Sequence, residues 1–344
     1  MCNIAGYAGK LDAAPILIEM MRREEGFAGG YYSGLATISE GRLHHRKLTG
    51  NLSDLLAKTD AAALPGSIGI IHSRSKSGGD DSFAHPFCTF NGDEATLAYV
   101  ANGGANFFTS RFDECTKIAA SLHNDGYSFT SVQDEEIECY PKLPDGRTVH
   151  MSDLMAQLIA RYIDNGSSPD DAINSAYCEM PGEIVGLLLS LKAPDSIAWS
   201  RINMPMFAGF APHGIYLAST PHAFPADATD IRLLPAMCGG EVFADHITEK
   251  PYAAPPCRIA PITDEIYAEA KKRLLEHISD SPKNMITGIE AIKAAFPECD
   301  IIPRDALYYQ LVFDMKDELE FSELMLEGAF PGLLAPKKYI QPKR

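Results

Sequence analysis

MCNIAGYAG, residues 1–9, places a cysteine directly after a methionine and follows it with small and apolar residues. A side chain as small as that of Cys2 normally permits removal of the initiator methionine, which would leave Cys2 with a free α-amine. Such an amine ordinarily titrates at roughly 7.7–8.0, so near neutral pH it can take the thiol proton directly or through a water. Nucleophile and base then belong to one residue. From Ile4 to Tyr7 the residues alternate as in a strand. A strand led by its own nucleophile requires that the rest of the chain supply a grip on a substrate and an oxyanion hole.

Composition limits what that substrate can be. At 344 residues the chain calls for one large domain with an appendage, or for two domains. With 46% hydrophobic and 22% charged residues, and no apolar run near the ~20 residues that span a bilayer, it reads as globular and not membrane-spanning. The N-terminus lacks the basic region and continuous apolar stretch of a secretory signal, so the expected location is the cytoplasm. A formal charge of −16 opposes nucleic-acid partners, whose phosphates are bound by positive faces. The eight cysteines are scattered singly, with neither a CxxC pair nor dense spacing, so no zinc site and no disulfide framework is expected. Seven of them read as buried thiols.

Moving outward from Cys2, PILIEMMRREE (15–25) has helical spacing, and LATISEGRLHHRKL (35–48) has the alternation and the central Glu-Gly of a hairpin. NLSDLLAKTDAA (51–62) reads as a helix. GSIGIIHSR (66–74) is a short β-rich run, and HPFCTFNGDEATLAYVANGG (85–104) reads as a second hairpin. Helical spacing returns over 111–124 and 151–165. Four strands follow, in GEIVGLLLSLKA, SIAWSRI, MPMFAGFA and GIYLAST. Strands grouped at both ends with helices between give an α+β class with antiparallel sheets, not a βαβ dinucleotide fold. GxGxxG, GxxxxGK[ST] and HExxH are all absent, so the common nucleotide and metallopeptidase signatures are missing.

Several residues along this path carry side chains suited to amide cleavage. Arg74, closing GIIHSR, can hold a substrate carboxylate through two parallel charge-assisted bonds that lysine does not reproduce. Asn102 and Gly103 can offer a side-chain amide and an adjacent backbone N–H to an oxyanion, although Asn-Gly by itself is more often a tight turn. Asp134 can pair with a substrate ammonium, although an acidic residue among Glu135, Glu136 and Glu138 is ordinarily solvent-facing.

In this order the segments resemble the glutaminase domain of class II glutamine amidotransferases, such as that of glucosamine-6-phosphate synthase. MCNIAGYAG resembles the family's MCGIVGYxG start, YYSGLATI its YDSAGxAV, and LHHRKLTGNLSDLL the basic strand and helix that follow. GIIHSR and AHPF resemble GIGHTRWATHG and NAHPH; NGGANFF resembles NGxIxN; GYSFTSVQDEEI resembles GYxFxSETDTEV. The likeness spans about residues 2–240. It implies a four-layer αββα sandwich of the N-terminal nucleophile hydrolases and release of ammonia from L-glutamine through a γ-glutamyl thioester, with no metal or organic cofactor needed. It also implies Cys2 as nucleophile, Asn102 and Gly103 as oxyanion hole, Arg74 and Asp134 as the clamp on glutamine, and Ser77 as a hydroxyl-bearing binding residue.

The chain also departs from the family. Asn3 replaces a glycine, which predicts crowding beside Cys2. Ala28 stands where the family has arginine, Ser75 and Lys76 replace Trp-Ala, and the loop from Arg74 to His85 is about two residues shorter and lacks the family histidine. The division expected is a glutaminase-like domain over 1–245 and a proline-rich connector with a mainly helical extension over 246–344, the stretch 304–330 reading as one or two helices. That extension is too short for the sugar-isomerase or phosphoribosyltransferase domains that accept ammonia in the family. It reads as a docking module for an ammonia-accepting synthase subunit, a dimerisation arm of a homo-oligomer, or packing against the sandwich. Three functions fit: a free-standing glutaminase, a silent glutaminase-like binding protein, and a hydrolase of another amide.

Overall fold

A computed structural model describes residues 2–76, 78–104, 112–137, 140–280, 288–297 and 303–343. The strand that follows Cys2, β1 (Asn3–Gly9), is buried along its whole length. Its side chains alternate accordingly, Ile4 and Ala8 to one face and Ala5 and Tyr7 to the other, because successive residues of a strand point to opposite sides. It is central in a seven-stranded sheet. On one side lie β10 (Gly214–Ala218), β9 (Phe207–Ala211) and β11 (Thr229–Leu233), and on the other β4 (Ile68–Arg74), β2 (Tyr32–Ser39) and β3 (Arg42–Thr49). Every pairing is antiparallel. The expected β2–β3 hairpin turns on Glu40 and Gly41, with φ of 50° and 73°, the double positive φ that a two-residue turn matching strand twist requires.

A second antiparallel sheet runs β13 (Lys250–Pro251), β12 (Cys238–Val242), β8 (Ile197–Arg201), β7 (Glu183–Ser190), β6 (Glu94–Gly104) and β5 (Phe87–Asn91). Ile4, Ala36, Ile70 and Leu217 of the first sheet share one buried cluster with Val100, Val185, Leu187 and Trp199 of the second. The other face of the first sheet carries α1 (Ala13–Glu24), through Leu17, Met20 and Met21. The other face of the second carries α4 (Met151–Asp164) and α5 (Pro169–Glu179), through Leu154, Leu158, Ile173 and Tyr177. Both sheets are therefore apolar on both faces. Helix α5 was not expected from the sequence, although Ser168 followed by Pro169 is a serviceable start signal. α2 (Leu52–Lys58) begins on a reciprocal capping box between Asn51 and Asp54, and α3 (Phe112–Asn124) lies where helical spacing placed it.

The C-terminal part comprises α6 (Asp264–Asp280), α7 (Gly288–Ala295) and α8 (Arg304–Asp314), then β14 (Leu319–Glu327) and β15 (Leu334–Pro342) paired as a hairpin. The expectation of helix through residue 330 is thus corrected after Asp314. Leu, Met and Glu favour helix intrinsically, but nine cross-strand partners from Leu319↔Pro342 to Glu327↔Leu334 override that weak preference. The segment is not loosely attached. Leu307, Tyr309 and Leu311 of α8 and Ile340 of β15 share a buried cluster with Tyr7, Leu17 and Met20, so truncating one such leucine to alanine is expected to cost about 2–5 kcal/mol. Lys338 of β15 joins the hairpin to the end of α1, its backbone N–H donating to Gly26 O at 3.0 Å. No helix among the described residues is long and apolar enough to cross a membrane.

Candidate active site

The pairing of β1 with β4 sets Asn3 opposite Ser73 and Ile4 opposite His72, so Cys2, one residue earlier, comes to the Arg74 end of β4. Cys2 is 8% exposed. Its backbone N–H donates to Asn102 Oδ1 at 3.0 Å, while Ser75 N–H donates to Sγ at 3.5 Å and Ser75 Oγ stands 3.7 Å from it. Asn102 and Gly103 do not form a turn. They lie within β6, opposite Val185 and Ile184, and a side chain at Gly103 would meet Glu183 O at 2.5 Å. With Oδ1 occupied by Cys2, the Asn102 Nδ2 amide is left buried, without a partner among the described residues. A buried donor in that condition costs stability unless something else uses it.

Arg74, 1% exposed, donates from Nη2 to Gly78 O at 3.1 Å and to Tyr140 OH at 2.7 Å. Its guanidinium lies over the Tyr32 ring at 4.3 Å. Tyr32 and Gly78 also line a groove of ≈ 680 Å³, together with Lys76, Asp134, Ile137, Ala329 and Phe330. Arg74 thus touches two groove residues without lining the groove itself, whereas Asp134 lines it and is exposed. Ser77 lies outside the described residues. A larger cavity, ≈ 850 Å³ between the β5–β6 turn and α4, holds none of the predicted site residues.

No family model matches the chain. Over 236 residues it is 28% identical to a glutamine–fructose-6-phosphate aminotransferase (isomerizing) from Clostridium tetani, covering 68% of this chain and 34% of that one. Over 226 residues it is 27% identical to the enzyme of that name from Pyrococcus horikoshii, covering 65% and 33%. The chain therefore spans about a third of the length of these curated relatives. Among solved structures it matches glutamine phosphoribosylpyrophosphate amidotransferase from B. subtilis with a TM-score of 0.61 at 16% identity, over 88% of this chain and 65% of that one. The chain is similar, in sequence and in fold, to the class II glutamine amidotransferases. At 88% of 344 residues, the structural match to this amidotransferase must also take in part of the segment after residue 245.

Viewed beside the amidotransferases, two of the departures meet one another. Asn3 does not crowd Cys2; its Oδ1 accepts the Ala28 N–H at 3.0 Å, so the residue in place of the family glycine anchors the segment that lacks the family arginine. The loop after Arg74 is likewise tied down, by Asp80 capping Ser82 N–H at 2.8 Å and Asp81 accepting from Thr49 N–H at 2.7 Å. Burial, the largest influence, pushes the Cys2 thiol up, but the His72 imidazole, the N-terminal amine and the Ser75 N–H together bring it down to about 6. Cys88 shows the alternative: equally buried and with no imidazole beside it, that thiol is pushed up to about 12. Sequence reading missed Ser75, His72 and Tyr140. His72 was findable, lying two residues before Arg74 and so on the same face of the strand. Tyr140 carried no local signal.

Proposed function

We propose that this chain hydrolyses the side-chain amide of L-glutamine to glutamate and ammonia. The single observation that carries the reading is the Asn102 side chain: one end accepts from the Cys2 backbone and the other, a buried amide with no partner among the described residues, is available to an oxyanion formed at the cysteine. Cys2 passes its thiol proton to its freed α-amine as Sγ attacks the amide carbon; the developing oxyanion is stabilised by Asn102 Nδ2 and the Gly103 N–H; collapse breaks the C–N bond as the α-amine returns that proton to the leaving nitrogen, releasing ammonia, and the γ-glutamyl thioester left behind is cleaved by water to glutamate and the free thiol. Arg74 takes the substrate carboxylate, Asp134 its ammonium, and Ser77 a further hydroxyl contact. The reaction requires that the peptide bond before Cys2 be cut, freeing the α-amine.

The two sheets with helices on their outer faces support the four-layer αββα reading, with 1–245 as the glutaminase unit and the rest as an extension that backs it. The relatives' names pair glutamine with a second substrate, and they are about twice as long. In this reading a separate cytoplasmic synthase subunit receives the ammonia. Intact mass combined with labelling by a glutamine-mimicking electrophile tests the proposal. Chains trimmed to Cys2, labelled there first and releasing ammonia from glutamine, are the expected result. A retained Met1 in folded protein, or faster labelling of an internal cysteine, overturns it. Glutamine binding without ammonia release identifies a silent binding protein instead.

A further inference from the structure

The groove beside Arg74 is not completed by residues 1–245. The loop after Arg74 contributes Lys76 and Gly78 to its lining, and the following segment contributes Asp134 and Ile137; Ala329 and Phe330 come from the far end of the C-terminal hairpin. That end is sharply defined. Leu333 N–H donates to Phe330 O at 3.1 Å, with Pro331 and a Gly332 of φ 83° between them, the pattern of a type II turn. Pro331 also disfavours helical backbone at the residue before it, so the turn presents the Phe330 ring from an extended chain. The ring is 43% exposed and belongs to none of the buried clusters.

β15 fixes this turn in the frame of the candidate catalytic residues. Leu334 O accepts from Asn51 Nδ2 at 2.8 Å, and Lys337 Nζ donates to Gly29 O at 3.1 Å. The segment that β15 lies along, residues 26–30, is tied in turn to the neighbours of Cys2 and Arg74: Ala28 N–H donates to Asn3 Oδ1 at 3.0 Å, and Gly30 N–H to Ser73 Oγ at 2.7 Å. β14 is exposed over most of its length, so the hairpin is held along one strand and reaches the groove with its turn.

We infer that Phe330 is a specificity-determining residue of the amide substrate site: its ring packs on the methylene stem of glutamine and blocks the way out for a chain attached to the α-amine. The inference rests on the reading of Asp134 as the partner of the substrate ammonium. Single apolar side chains on a surface are ordinary, but this one stands on a rigid turn in a groove that also holds a cation, Lys76, an anion, Asp134, and the apolar surfaces of Tyr32 and Ile137. Such a lining matches a free α-amino acid, with a zwitterionic head and an apolar stem. A glutamine acylated on its α-amine must extend beyond Asp134, into the groove that the Phe330 ring narrows.

The test compares Phe330→Ala, Phe330→Leu and Leu324→Ala in the full chain, the last on the same hairpin, 52% exposed and outside the groove lining. Affinities for L-glutamine and for glycyl-L-glutamine are measured calorimetrically in a Cys2→Ala background, and ammonia release from glutamine in chains that keep Cys2. Phe330→Ala should weaken glutamine binding and raise its KM about tenfold with kcat unchanged, the mark of binding lost equally from ground and transition states. In the same variant glycyl-L-glutamine should bind at least about threefold tighter, a change of opposite sign that a loosened hairpin alone does not produce. Phe330→Leu should recover most of the glutamine affinity, and Leu324→Ala should shift neither ligand. Unchanged glutamine affinity in Phe330→Ala, no gain for the dipeptide, or equal shifts in Leu324→Ala overturn the role. Binding and turnover let the two readings fail separately. Phe330-dependent glutamine binding without ammonia release sinks the glutaminase alone, and hydrolysis indifferent to position 330 sinks this role alone; a chain that binds no glutamine sinks both.

Discussion

Cys2, Arg74 and Asn102 stand on or beside central strands and are buried, whereas Asp134 stands on a loop, lines a groove and is exposed. The first group is fixed by strand registers that a one-residue slip would turn inside out, which is why such positions hold their geometry before any ligand arrives. The second is held more lightly. Gln133, beside Asp134, exchanges two backbone hydrogen bonds with Thr148, at 2.9 and 2.8 Å, and beyond that the acidic side chain faces solvent. On the proposed reading, chemistry is preorganised on one side of the site, and recognition is left to be completed by the ligand on the other.

Substitutions can break this contrast or sharpen it. Cys2→Ala should abolish ammonia release from glutamine, a loss of at least about 10⁴-fold for removal of a nucleophile, measured by coupled glutamate assay; surviving turnover would move the chemistry elsewhere. Asn102→Ala should lower kcat by about 10²–10³ while leaving glutamine affinity, measured calorimetrically in a Cys2→Ala background, little changed. Unchanged turnover per folded molecule would strip Asn102 of the oxyanion role. Arg74→Lys should lower kcat/KM by roughly tenfold to a hundredfold, on the order of 1–3 kcal/mol, because lysine cannot reproduce the planar fork. Equal efficiency in the lysine variant would remove Arg74 from substrate binding. Asp134→Asn should cost least, about fivefold in kcat/KM and less at high salt, since exposed charge pairs are worth about 1 kcal/mol or less and are screened. A loss larger than that of Arg74→Lys would erase the distinction between the two halves.

The same contrast governs what could be read from residues alone. Strand-borne features were legible because period-two alternation and short β-rich runs are local signals: β1, β4, the β2–β3 hairpin around Glu40-Gly41, and Arg74 closing its strand. Asn102-Gly103 was ambiguous, since a dipeptide that favours a turn also suits a strand interior where Glu183 O leaves no room for a side chain at position 103. The role proposed for the pair depends on the amide, not on the turn. The run DELEFSELMLEGAF misled because its helix preference is intrinsic and its strand partner, KKYIQP, comes later in the chain. Tyr140 reaches Arg74 across 66 positions and no spacing rule announces it. Asn3 and Ala28 each read as a defect, and only the fold brings their compensating hydrogen bond into view.

Because β1 lies between β4 and β10, the strand behind Cys2 cannot complete its sheet until residues 214–218 exist to pair with it, Ala5 with Ala218. On a ribosome the strand behind the cysteine therefore waits with one edge open, β4 alone being available to it, while some two hundred residues are made, and long-range pairing of this kind closes late. Any peptidase that trims what precedes Cys2 meets it during that wait, before folding reduces the residue to 8% exposure. Refolded chains that still carry a residue ahead of Cys2 should accordingly resist a trimming that nascent chains accept; equal rates on both would show that the closed fold still presents its leading end.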